Sequence, residues 1–150
     1  MSDLVDVRLV GLPIAAHRAT TEHIDELLRE FVHLDGDSGD VPRRLLQLRD
    51  DLQARFSSFT AGPHAELVAA AARGDDTIDL AYRVPEEAGA ASAQALALLD
   101  EADELCLRGD HLLTLATPSE AVRYRRWFFG EFERQCRGEP PTPWQGAPGA

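Results

Sequence analysis

The apolar positions of this chain fall into three short strand-like runs, each closed by a proline and followed by a segment of helical periodicity. "VDVRLVGLP" precedes "IAAHRATTEHIDELLREFVHL", "TIDLAYRVP" precedes "EEAGAASAQALALLDEADELCL", and "HLLTLATP" precedes "SEAVRYRRWFFGEFERQC". Proline suits the first turn of a helix, because the amide it lacks would have no partner there. In the third unit Thr117 and Glu120 have capping-box spacing around Pro118, which defines that helix start best. Between the first two units lie two more helical stretches. "DVPRRLLQLRDDLQARF" puts Leu45, Leu48, Leu52 and Phe56 on one face, and "GPHAELVAAAARG" is shorter and alanine-rich. "DGDSGD", Asp35 to Asp40, is an acidic loop.

The predicted order is β-α-α-α-β-α-β-α: an α/β (or α+β) fold with a small three-stranded sheet covered by four to five helices. The short linker from Arg108 to Asp110 predicts that the last two strands and their intervening helix form a right-handed βαβ crossover. One globular domain is expected over 1–138. The proline- and glycine-rich end, 139–150, cannot be helical and is expected to trail as an extended tail.

Composition narrows the classes of function. The chain has 150 residues, 44% of them hydrophobic and 27% charged, as in an ordinary globular protein. A net charge of −11 disfavours nucleic acid and anionic membranes as partners. No run approaches the roughly 20 apolar residues of a membrane span. "MSDLVDVRLVGLP" lacks a positive leader region, so a cytoplasmic location is expected. Cys106 and Cys136 show no metal or redox spacing and read as packed thiols. All 15 basic residues are arginine, and the chain has neither lysine nor asparagine, a sign of a high-GC genome. A P-loop lysine, a Schiff-base lysine and an asparagine magnesium ligand are thereby excluded.

On a wheel of about 100° per residue, the last helix places Ala121, Val122, Phe128, Phe129, Phe132 and Cys136 on one broad face. Arg123, Arg126, Arg134 and Arg137 fall together on the opposite side, bordered by Trp127. That ridge is either a solvated face balanced by Glu131, Glu133 and nearby acids, or a docking surface for an acidic partner or a phosphate. Arg125 falls in the middle of the apolar face. It must be paired there, with a carboxylate of another helix or with an anionic ligand in a pocket. His17 projects close to the stripe of Ile24, Leu27, Leu28 and Phe31, as a hydrogen-bonded core residue or as a pocket group.

His17 and His23 are six apart, and His33, His64 and His111 show no partner spacing, so no metal site is expected. Asp100, Glu101, Asp103 and Glu104 read as the wet side of a helix whose apolar stripe runs from Ala88 to Cys106. No GxSxG, HExxH, GxGxxG or EF-hand loop occurs, and no catalytic residue or cofactor is assigned.

The segments "LVGLP", "ELLREF", "PRRLLQL", "DEADELC", "LLTLATP", "RRWFFGEFERQ" and "PPTPW", from Leu4 to Trp144, resemble a group of small actinobacterial proteins. These are encoded near anti-sigma kinases and their STAS-type antagonists. The resemblance implies a role in partner switching or sensory regulation. The related kinases bind ATP through an asparagine-containing box, which this chain lacks.

The expected function is thus a non-enzymatic regulatory domain that binds a protein partner through Arg123, Arg126, Trp127, Arg134 and Arg137. The alternative is a sensor of an anionic small molecule, or an enzyme, with a pocket around Arg125 and His17. Homodimerisation through an exposed sheet edge is compatible with either.

Overall fold

A computed structural model of the protein describes residues 3–32, 40–108 and 117–145. Its elements are β1 (Leu4–Pro13), α1 (Ile14–Val32), α2 (Val41–Ala72), β2 (Thr77–Pro85), α3 (Glu87–Arg108) and α4 (Ser119–Cys136). The class is α+β. Among the described residues the sheet has two strands, antiparallel, with Val7 opposite Tyr82 and Leu9 opposite Leu80. The expected sheet of three strands, and its order, is not matched. The third strand and its βαβ crossover were placed on residues of which 109–116 lie outside the described set, and Thr117 and Pro118 belong to no strand. The acidic loop 35–39, His33 and His111 also fall outside it.

Alternation in the strands sets the first layer. Val7, Leu9 and Leu12 of β1 and Leu80, Tyr82 and Val84 of β2 are buried, while Asp6, Arg8, Asp79 and Arg83 are exposed. Side chains of period two can feed only one core from one face. The register slips by one residue between Leu9 and Leu12, where Gly11 takes φ 68° and its amide donates to Asp79 Oδ1 at 2.8 Å. Glycine tolerates that left-handed backbone, and the extra residue makes a bulge.

Helices α2, α3 and α4 cover the buried face, with Phe56, Leu67, Ala88, Ala91, Tyr124 and Phe132 in one cluster with the strands. A second cluster joins α1, the start of α2 and the far half of α3 through Leu27, Phe31, Leu45, Leu48, Leu98 and Ala102. The two helical stretches expected between 41 and 73 are one helix of 32 residues that runs through Pro63. A proline inside a helix removes a hydrogen bond and costs about 3 kcal/mol. Here Phe56 before it and Leu67 and Ala70 after it are buried in the same core. Packing on both sides outweighs the local signal to stop.

The described part of the C-terminal tail, 139–145, does not trail. Residues 139–145 have no regular structure, yet Thr142 N donates to Glu131 Oε1 at 2.7 Å and Trp144 N to Val10 O at 3.0 Å. Gln135 supplements this along β1: its amide accepts from Arg8 N at 2.8 Å and donates to Arg8 O at 2.9 Å, as a neighbouring strand would. The free edge of β1 is therefore occupied at Arg8 and Val10, which removes these positions from any edge-to-edge dimer.

Helices α3 and α4 approach closely at Gly89, where an added Cβ would stand 2.7 Å from Cys136 Cβ. On propensity alone, Gly89→Ala would stabilise α3 by about 0.5–1 kcal/mol. Overpacking of about 1–3 kcal/mol exceeds that gain. A lower urea midpoint is the expected result, and a higher one would show that the helices separate freely.

Candidate functional site

His17 lies one turn into α1, just after Pro13 ends the strand, and so reaches back over the sheet core. Its Nδ1 is 2.7 Å from the hydroxyl of Tyr124, a residue of α4 that is almost fully buried. The imidazole stands edge-on to the Tyr124 ring, with centroids 5.7 Å apart, and tilted on Phe128 at 5.4 Å. Burial, and secondarily His64, lowers the His17 pKa to about 4. Burial also pushes the Tyr124 hydroxyl well above the ordinary phenol range, with Tyr82 adding to the effect. At neutral pH both groups are uncharged and share one proton between oxygen and Nδ1. No other partner of the Tyr124 hydroxyl is found among the described residues. Tyr124 is therefore assigned as donor to Nδ1, which leaves Nε2–H of His17 as an outward donor.

That donor borders a cavity of about 440 Å³ between the sheet, α2, α3 and α4. Phe56, Leu67, Tyr82, Val84, Phe128 and Phe132 form most of its apolar wall, and Gln53, Ser57, Thr60, His64 and Ser92 supply polar groups. Among the described residues no carboxylate or guanidinium lines it. The Tyr82 hydroxyl, with its pKa raised to about 12 by burial and by Glu66, stays protonated at neutral pH. Small-molecule sites have this constitution: a concave apolar wall with a few convergent polar groups.

Arg125 is not among the residues lining this cavity. It is 1% exposed and ion-paired, its Nη2 at 2.7 Å from Asp100 Oδ1 and 2.5 Å from Asp103 Oδ2, both on α3. Its Nη1 donates to Thr117 Oγ at 3.1 Å, and Thr117 donates to Asp103. Thr117 thus serves α3, and no side-chain cap closes the start of α4, contrary to the capping-box reading. Asp103, expected on the wet side, is only 16% exposed because Arg125 draws it in. Among the described residues, the two cavities that His17 lines do not include Arg125. Arg125 and His17 face different neighbours.

The arginine ridge is largely engaged within the chain. Arg123 lies over the Trp144 ring, 4.7 Å from its centroid. Trp127 donates from Nε1 to Thr142 O at 2.7 Å and packs on Trp144 at 5.5 Å. Arg134 pairs with Glu131, which is fully buried rather than a solvated counter-charge, and Arg137 pairs with Glu133 and Glu139. Arg126 and Arg137 remain well exposed, Arg126 only 3.9 Å from Asp100. Cys106 and Cys136 are free, and burial raises both thiols, Cys106 to about 11 beside Asp103. Neither is activated as a nucleophile.

Sequence reasoning missed Tyr124, His64, Gln135 and the inward turn of Glu131. Tyr124 carried the clearest overlooked signal, since it precedes Arg125 on the apolar side of α4. His64 follows Pro63 in a stretch expected to be a separate short helix, which hid its position beside His17. No protein-family model matches the chain, and neither a curated protein nor a solved structure shows significant similarity to it.

Two predictions follow from burial. Arg125→Leu strands Asp103 in a dry site and should cost about 3–5 kcal/mol in urea unfolding. Adding Asp103→Leu should recover part of that loss, and a cycle with no coupling would contradict the pairing. For His17, the unfolded chain binds a proton below pH 6.5 whereas the folded protein resists it until about pH 4. Stability contributed by neutral His17 is complete above pH 6.5 and declines as pH falls towards 4, by less than about 1.4 kcal/mol per unit. His17→Gln should flatten the urea midpoint between these pH values relative to wild type.

Proposed function

We propose that this protein is a binding domain for an uncharged or largely apolar small molecule, held in the cavity beside His17. The observation that carries the reading is the cavity itself. It is a cleft of about 440 Å³, open to solvent on one side, whose wall is largely apolar and which lies beside a neutral imidazole fixed by Tyr124. That volume lies within the range of about 300–1,000 Å³ typical of ligand sites. A wall without carboxylate or guanidinium among the described residues argues for a neutral ligand and against the anionic one anticipated around Arg125. A histidine with so low a pKa is a weak base at neutral pH, and Tyr82 and Tyr124 are held as phenols, which favours binding over proton-transfer catalysis. If the chain is encoded near anti-sigma kinases and their antagonists, as its resemblance to such neighbouring small proteins implies, the domain would act as a sensor for that module. The docking-ridge reading has less support, because Arg123, Trp127 and Arg134 already have partners within the chain.

The test is fluorescence titration with phenylnaphthylamine, a neutral apolar probe, against wild type and Ser57→Trp. Ser57 is exposed and lines the cavity, so the indole blocks access without disturbing the core. Wild type should give a saturable one-to-one signal. The variant should bind at least about tenfold more weakly, a difference of about 1.4 kcal/mol. No saturable signal from wild type, or equal binding by both, would overturn the proposal.

A further inference from the structure

A second cavity, of about 460 Å³, opens on the outer side of His17, between α1 and α2. It shares three lining residues with the first: His17, His64 and Leu67. These three residues therefore stand between the two spaces. The chambers differ in chemistry. Among the described residues the inner one carries no carboxylate or guanidinium, whereas the outer one has an apolar floor that includes Val68 and a rim of Arg18, Thr21 and Glu22. Val68 is 54% exposed, an uncovered apolar side chain of that lining.

We infer that the gap between the two histidines is a waist that joins the two chambers into one continuous site for an elongated amphiphile, whose apolar body fills the inner chamber and whose polar end lies at the outer rim. At the waist a carbonyl or ether oxygen of the ligand accepts a hydrogen bond from His17 Nε2–H. The inference rests on the ligand-binding reading above and extends it to a class of ligand. The geometry favours this class for three reasons. A compact ligand of the inner chamber would leave the apolar floor of the outer one wet. A fully apolar ligand would leave Nε2–H of His17 unpaired once water was displaced, which is costly in a dry site. A ligand charged along its length would place that charge against the largely apolar inner wall.

His17 is on this account a specificity-determining residue. Tyr124 is a positioning residue, which sets the tautomer through Nδ1 and so makes the waist a donor.

The experiment uses the full chain and two carbonyl probes, propionyl-dimethylaminonaphthalene (Prodan) and its hexanoyl homologue, whose emission moves to the red when the carbonyl accepts a hydrogen bond. In wild type the longer probe should bind about tenfold tighter than Prodan, as three buried methylenes would allow. Ala72→Trp, at an exposed position of the outer chamber, should bring the two affinities to within about twofold of each other. His17→Leu should shift the bound emission to the blue. Should His17→Leu fail to fold, Tyr124→Phe, which releases the tautomer, should give a partial shift in the same direction.

Equal affinity of the two probes for wild type, or a length preference that survives Ala72→Trp, would overturn the continuous site. Unchanged emission in the folded His17 or Tyr124 variant would overturn the hydrogen bond at the waist. If phenylnaphthylamine binds as expected, either result removes only this inference. If neither phenylnaphthylamine nor Prodan binds wild type, the ligand-binding reading falls with it.

Discussion

Helix α4 is held from two sides, and the position of its ring-bearing face depends on both. On one side the buried guanidinium of Arg125 grips Asp100 and Asp103 of α3 and reaches Thr117. On the other, Gln135 pairs with the backbone of Arg8, and Glu131 holds the tail through Thr142. A guanidinium so dry can persist only with near-complete pairing, so the separation of α3 and α4 is narrowly defined there. The close approach of Gly89 to Cys136 sets it near the other end of the pair.

The cavity is a consequence of that arrangement. Tyr124, Phe128 and Phe132 project from the same helix that Arg125 and Gln135 fix, and they meet His17, Tyr82 and the small residues Ala88 and Ala91. Larger side chains at 88 and 91 would close the space, whereas alanines leave it open while α3 still packs on its neighbours. The same aromatic group extends outward to Trp127 and Trp144, which are covered by Arg123 and the returning tail. Inner rings shape a cavity and outer rings fasten the chain end. One helix therefore serves stability along its flanks and ligand space at its centre.

The chemistry of the site follows from dryness. His17 and Tyr124 are both groups that water would allow to ionise, and burial suppresses the charge of each in opposite directions. Two neutral groups with a 2.7 Å hydrogen bond make a fixed dipole rather than a proton relay. Such a dipole orients a ligand but contributes little to moving a proton at neutral pH.

The sequence by itself determined the bounds of β2 and α4 and, to within a residue or two, those of β1, together with the core stripes of α1 and α3. These rest on period and on proline placement, which are local. It also determined that Arg125 must be paired, because one guanidinium on an apolar face permits nothing else. Only the tertiary structure decided what that pair was, since Asp100 and Asp103 look solvated until α4 lies against α3. It likewise carried α2 through Pro63, turned Glu131 inward, folded the tail back onto β1, and placed His64 beside His17 to frame a cavity. Each of these depends on energy gained between residues distant in the chain, to which the local pattern of apolar and polar positions is blind.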